Sequence, residues 1–277
     1  MKKRITLTID EDLLNKVDSS VDNNIIKNRS HAIELLVRNS LQTNAPTKAL
    51  ILAGGSERLI EIEGKQILQS LVRIDGKTVI ERNIELLKHH GIKDILISLS
   101  EEQKELKKHL KDGSEQGVNL SYLEESEPLG TSGVVREARK HFSDSFLVCN
   151  ADEIKDIDIS KMYEFHKSHK GKATIALTTS EDQSDYGVAV LNGHKIITFV
   201  EKPVRGSEPS KLINAGLYIL EPEIINLLPE GYSRFEYDVF PKLAAEESLN
   251  GFVFSGQWFS LDSIEKYEKA KRNWKNK

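Results

Sequence analysis

The sequence predicts an α/β chain in two parts: a small strand-helix-helix module, then a doubly wound mixed sheet. Residues 4–9 alternate strictly between apolar and polar and are followed by two short helical patterns. From residue 49 onward, short apolar runs alternate with amphipathic stretches, which is how a sheet flanked by helices reads. Between the two, Gln42-Thr43-Asn44-Ala45-Pro46-Thr47 is polar, contains a proline and interrupts the apolar pattern. The expected boundaries are 1–43 for the first domain, 44–47 for the linker and 48–277 for the second domain.

In the first part, Ile5, Leu7 and Ile9 share one strand face, and Arg4, Thr6 and Thr8 share the other. Asp10 stands where an N-cap belongs, before the helical stripe Leu13, Leu14 and Val17. Arg29-Ser30 opens a second helix, with Ser30 as its expected cap and Ile33, Leu36, Val37 and Leu41 along one side. One six-residue strand has no partner in this segment, so two copies paired antiparallel would bury the Ile5/Leu7/Ile9 face.

In the second part the expected strands are 49–53, 95–99, 146–149, 173–177, 196–200 and 217–220. The expected helices are 79–89, 101–110, 132–141, 159–169 and 263–274.

Bulk properties narrow the function classes. Apolar residues make up 38% and charged residues 30%, ordinary for a globular protein. No apolar run reaches membrane-spanning length, and Met1-Lys2-Lys3-Arg4 leads into alternation rather than a signal core, so no membrane partner and a cytoplasmic location are expected. Cys149 is the single cysteine, which excludes an intramolecular disulfide and a cysteine-rich metal site. Net charge is −4, but residues 1–41 hold seven Lys/Arg against six Asp/Glu while the remainder holds 32 against 37. A basic tip on an acidic body fits a local contact with DNA.

The first forty residues resemble the ribbon-helix-helix family of dimeric repressors, whose paired strands enter the major groove. The resemblance implies a homodimer through the ribbon, with higher assembly left open, and a double-stranded DNA operator as partner. Lys3, Arg4, Thr6 and Thr8 would be contacts on the ribbon, and the amides near Ser30 would hold a phosphate. The plainer alternative is a dimerisation ribbon without DNA.

Lys48-Ala49-Leu50-Ile51-Leu52-Ala53-Gly54-Gly55 is an apolar strand running into a glycine turn. It is followed in order by Glu127-Pro128-Leu129-Gly130-Thr131-Ser132-Gly133, Leu147-Val148-Cys149-Asn150-Ala151-Asp152, Asp185-Tyr186-Gly187-Val188, Phe199-Val200-Glu201-Lys202-Pro203, Asn214-Ala215-Gly216-Leu217-Tyr218 and Trp258. This succession resembles the sugar-1-phosphate nucleotidyltransferases over residues 48–274. Members of that family have a Rossmann-like mixed sheet and join an NTP to a sugar 1-phosphate with release of pyrophosphate. The resemblance implies that Leu52, Gly54 and Gly55 hold the nucleotide and that Leu129, Gly130 and Thr131 line the base pocket. Arg58 and Asp152 would be catalytic, Asp152 as a Mg²⁺ ligand, and Gly187, Glu201, Lys202 and Asn214 would hold the sugar phosphate.

Three departures stand out. The loop Gly54-Gly55-Ser56-Glu57-Arg58-Leu59 is one residue short and lacks the family's third glycine; the family's phosphate lysine falls on Gln69; and its second metal aspartate falls on Ser260. Transfer at phosphorus depends on positioning and charge neutralisation, so these losses predict weak turnover. The expectation is therefore a DNA-binding transcription regulator whose degenerate nucleotidyltransferase-like domain senses a nucleotide, sugar phosphate or nucleotide-sugar. The alternative is an active nucleotidyltransferase, using Mg²⁺, in which Lys65, Arg73 or Asp262 stands in for the missing groups.

Overall fold

The computed structural model describes residues 5–21, 26, 28–40, 45–55, 59–100 and 103–275. It divides into two compact units, Met1–Asn44 and Ala45–Lys277.

In the first unit, helix α1 (Glu11–Ser19) is capped by Asp10, whose carboxylate accepts from Asp12 N (3.0 Å) and Leu13 N (3.3 Å). Helix α2 (Arg29–Ser40) starts where expected, but the cap is Asn28, whose side chain accepts from His31 N at 3.0 Å. Ser30 is already inside the first turn, two residues past the capping position. Val17 and Ala32 are buried, and Arg29 pairs with Asp18 at 2.6 Å. Residues 5–10 form no strand, contrary to the expected ribbon. An isolated strand gains no ladder hydrogen bonds, so one copy of this segment has nothing to hold it extended. Thr6, Thr8 and Ser30 are exposed; Lys3 and Arg4 lie outside the described residues.

The second unit opens with Ala45 and Pro46, which the expected linker includes but which are buried. Strand β1 (Lys48–Leu52) is buried on both faces, as the centre of a parallel sheet requires. Two hairpins follow, β2 (Leu59–Ile62) with β3 (Lys65–Leu68) and β4 (Arg73–Ile74) with β5 (Lys77–Thr78). Helix α3 (Val79–His89) begins with a capping box between Thr78 and Glu81. Next come β6 (Asp94–Ser100), α4 (Lys104–Leu110), β7 (Asn119–Glu125), α5 (Gly130–Glu137), β8 (Phe146–Asn150), β9 (Glu153–Lys155) and α6 (Ile159–Ser168). The chain continues through β10 (Ala173–Thr179), β11 (Gly187–Asn192), β12 (Lys195–Glu201), β13 (Leu212–Leu220), α7 (Phe240–Ala245), β14 (Leu249–Val253), β15 (Trp258–Ser260) and α8 (Ile264–Asn273).

Nine strands form one mixed sheet in the order β10-β14-β12-β11-β13-β8-β1-β6-β7. Along β1 the side chains alternate between layers: Leu50 and Leu52 pack into the core on one face, Ala49 and Ile51 into the core on the other. A third cluster, with Ile74, Ile154, Leu261 and Tyr267, lies under α8. From β1 the chain winds outward to β6 and β7, then crosses to β8 on the opposite side of β1. That reversal leaves a crevice beyond the carboxyl ends of β1 and β8, where ligands of open α/β sheets bind.

Candidate functional site

Leu52 ends β1 and pairs in register with Asn150 at the end of β8, and Ala151 N donates to Leu52 O at 3.2 Å. The glycine turn and the Asn150-Ala151-Asp152 turn are therefore neighbours. Gly54 N donates to Ser98 Oγ (3.3 Å) and Gln103 Nε2 to Gly55 O (3.4 Å), fixing the turn to the adjacent β6–α4 connection. A Cβ on Gly54 would overlap the carboxylate of Glu125, which would have to move aside. Arg58, with Ser56 and Glu57, lies outside the described residues.

Leu129, Gly130 and Thr131 stand at the start of α5, tied to the loop before α7. Gly130 has φ +74°, and a Cβ there would collide with the Ser233 carbonyl. That carbonyl accepts from Ser132 N (3.1 Å) and Gly133 N (3.2 Å), while Ser233 N donates to Leu129 O (2.9 Å). Thr131 Oγ1 donates to Glu236 Oε2 and accepts from Phe235 N, both at 2.9 Å.

The sugar-side residues gather on β11, β12 and β13. Gly187 is paired with Glu201 across β11 and β12. Glu201 Oε2 is buried without a hydrogen-bond partner among the described residues. Burial and the charge of Glu236 push the Glu201 carboxyl up to about 7, against the opposing pull of Lys202 and Arg234. Lys202 is held at φ +46°, with its N–H donating to Tyr186 O at 3.0 Å. Such a backbone costs of order 1–3 kcal/mol in a non-glycine residue, and strain of that kind concentrates at functional sites. Asn214 is buried, donates to Tyr218 Oη at 2.9 Å and accepts from Gly216 N at 3.0 Å.

Beneath these groups lies a polar floor. Ser260 is buried and paired in register with Glu153, and Leu261 N donates to Asp152 O at 3.0 Å. Glu153 accepts from Trp258 Nε1 (2.9 Å), Asn150 Nδ2 (3.2 Å) and the fully buried Lys155 (3.2 Å). Burial works against the Lys155 ammonium, yet the Cys149 sulfur and the Glu153 carboxylate outweigh it and hold its pKa above the usual lysine range. Cys149 is a buried strand residue whose thiol burial pushes up to about 11. A cleft of about 480 Å³ borders this floor only through Trp258, lined otherwise by residues such as Thr178, Phe254 and Ser255.

Gln69 is buried in the short 3₁₀ turn Gln69–Leu71. Of the groups considered as substitutes, Arg73 Nη1 donates to the carbonyl of Gly76 in its own hairpin (2.6 Å), and Asp262 pairs with Lys266 (2.9 Å). Lys65 is exposed on β3. Among the described residues, no group of three or more His, Cys, Asp and Glu could hold a metal ion. A Mg²⁺ carried by a triphosphate needs less, since one or two carboxylates plus phosphate oxygens suffice; Asp152 fits that limited role. Glu125, Glu236 and Lys155 escaped the reading of the sequence. Glu125 stands two residues before the Glu127-Pro128 motif, whereas nothing in spacing marks Glu236 or Lys155.

A family model described as "Nucleotidyl transferase" matches residues 48–277. The chain is 36% identical over 220 residues to a mannose-1-phosphate guanyltransferase of Yarrowia lipolytica, covering 77% of this chain and 60% of that protein. It is 32% identical over 227 residues to mannose-1-phosphate guanylyltransferase 1 of Arabidopsis thaliana, covering 79% and 62%. The chain thus spans about three fifths of the length of these curated relatives. The solved structure of HddC from Yersinia pseudotuberculosis complexed with GMP-PN is similar at a TM-score of 0.69 and 27% identity, covering 83% of this chain and 100% of that one. These relatives carry the names of sugar-phosphate nucleotidyl-transferring enzymes, which overturns the expectation of a DNA-binding regulator with a sensing domain. Nothing in the fold or the relatives supports DNA as a partner. Among the described residues, no helix is long and apolar enough to cross a membrane.

Proposed function

The chain belongs to the nucleotidyl transferase family, and from that premise we propose that it joins a nucleoside triphosphate to a sugar 1-phosphate. An oxygen of the sugar phosphate attacks the α-phosphorus, the bond from that phosphorus to the β-bridging oxygen breaks, and pyrophosphate leaves. The observation that carries this reading is the meeting of the Gly54-Gly55 turn and Asp152 at the β1/β8 crevice, beside sugar-side residues on β11–β13. Leu52, Gly54 and Gly55 would cradle the nucleotide, with Leu129–Thr131 as one wall. Asp152 would hold the Mg²⁺ of the nucleotide, which supplies charge neutralisation when bound. Lys202 would take the sugar phosphate, and Glu201 and Asn214 the sugar hydroxyls. Gly187 leaves room for Glu201.

Supporting this reading, both halves of the site are connected: Thr131 holds Glu236, and Glu236 acts electrostatically on Glu201. The test is pyrophosphate release from the full chain with pairs of NTPs and hexose 1-phosphates. Release with at least one pair is expected; binding of both substrates without release would overturn the proposal.

For the first unit the reading is self-association. Ile5, Leu7, Leu13, Leu36 and Val37 are all about half exposed or more, a concentration of apolar surface in some forty residues. A second copy pairing through residues 5–9 would cover part of it.

A further inference from the structure

Lys266 stands in the first turn of α8 and reaches out of its helix to the turn that precedes β11. Its ammonium lies 2.9 Å from Asp262 Oδ2, 3.1 Å from Asp185 Oδ2 and 4.6 Å from the centroid of the Tyr186 ring. The contact with Asp262 is local. Those with Asp185 and Tyr186 join the last helix to a segment far earlier in the chain. Only 23% of the Lys266 side chain is exposed. Burial works against its charge, yet Tyr186 and Asp262 outweigh that and hold its pKa above the usual lysine range.

The turn it grips carries the sugar side of the site. Tyr186 O accepts from Lys202 N at 3.0 Å, and Lys202 is the residue held at φ +46°. A non-glycine residue stays in that region only where its surroundings over-determine it. The Tyr186 ring also meets Trp258 edge-on, with centroids 5.2 Å apart. A second tie to the same turn, Asp182 with Arg205, is 44% and 78% exposed, so water and salt screen it. Asp185 is itself 57% exposed and adds little for the same reason. The firmer hold is the ammonium on the Tyr186 face, which strengthens as water is excluded. One ammonium faces two carboxylates here, so its charge is neutralised locally and what it can give the site is placement.

We propose that Lys266 is a positioning residue for the sugar phosphate, acting through Tyr186: it fixes the turn whose carbonyl holds Lys202. This rests on the nucleotidyltransferase reading, in which Lys202 takes that phosphate.

Steady-state kinetics of the full chain test it, using the NTP and hexose 1-phosphate pair that wild type turns over fastest. In Lys266→Met the KM for the hexose phosphate should rise at least about fivefold, with kcat and the NTP KM within about twofold. The rise should persist at high salt, where the two carboxylates left behind are screened. Lys266→Arg keeps a cation that stacks on an aromatic face and should restore most of the affinity. In a Tyr186→Leu background, Lys266→Met should add nothing further. An unchanged KM, equal changes in both KM values, or a rise that vanishes with salt would overturn the positioning role and leave the transferase reading standing. If wild type releases no pyrophosphate with any pair, the transferase reading fails, and calorimetric affinity for hexose 1-phosphates decides on Lys266 by the same comparison. A chain that binds none of them overturns both. If Lys266→Met does not fold, Lys266→Gln is read in the same way.

Discussion

Lys155 Nζ lies 3.2 Å from Glu153 Oε2, and the lysine side chain has no exposed surface. The pair sits one strand position beyond Asp152, and Glu153 also receives Trp258 and Asn150. An ammonium so placed fixes the carboxylate next to the proposed nucleotide-holding turn, so the pair couples the core to the site. Breaking such a pair leaves an uncompensated buried charge. Lys155→Met is expected to destabilise the second unit by about 3–5 kcal/mol, measured by urea unfolding followed through tryptophan fluorescence. A loss under 1 kcal/mol would show that the pair contributes little to holding the second unit together.

Glu201 makes stability depend on pH in a stated direction. Its folded pKa is raised from 4.5 to about 7, so the folded state holds that proton more tightly than the unfolded chain does. Its contribution is therefore fully present below pH 4.5 and is lost as pH rises through about 7. The difference in unfolding free energy between wild type and Glu201→Gln should change by roughly 2–3 kcal/mol across that window and level off above it. A flat difference between pH 4.5 and 7.5 would mean that Glu201 titrates normally.

The departures at Gln69 and Ser260 predict a gain. The double change Gln69→Lys with Ser260→Asp restores a cation and a carboxylate, each worth on the order of tenfold or more in rate. Pyrophosphate release at saturating Mg²⁺ should rise at least about tenfold over wild type. A fall, in a protein with unchanged Tm, would show that this chain neutralises phosphate charge with other groups.

Gly54 has no room for a side chain against Glu125. Gly54→Ala should cost about 1–3 kcal/mol of stability by overpacking and weaken nucleotide binding with it. Tm and calorimetry read the two effects; full nucleotide affinity in the variant would separate the Gly54 turn from the nucleotide.

The first unit is tested by mass. Light scattering on the full chain should give a dimer, and Ile5→Asp with Leu7→Asp should give a monomer, since two charges would enter a paired apolar face. An unchanged mass would place any association elsewhere.

Much of the second unit was legible in the sequence. The strands centred on residues 49–53, 95–99 and 146–149 and the helix over 79–89 follow from apolar runs and periodicity, which local chemistry dictates; the capping box of Thr78 and Glu81 marks that helix start. Strands β7, β11 and β14 went unread, because their burial is mixed or their runs short and their pairing depends on distant partners. The N-terminal ribbon was read from alternation alone, and alternation states only which face would be buried, not that a partner exists.

The proposed site divides along the same line. Motif order singled out Gly54, Asp152, Glu201, Lys202 and Asn214 as candidates, because each belongs to a contiguous segment whose chemistry is local. What tertiary structure decided is who stands beside whom: Glu125 against Gly54, Thr131 on Glu236, and Trp258 on Glu153. Each of these relations crosses strands or loops joined only by the winding of the sheet. Their energies come from burial and charge at short range, which a linear chain does not possess until the sheet brings its ends together.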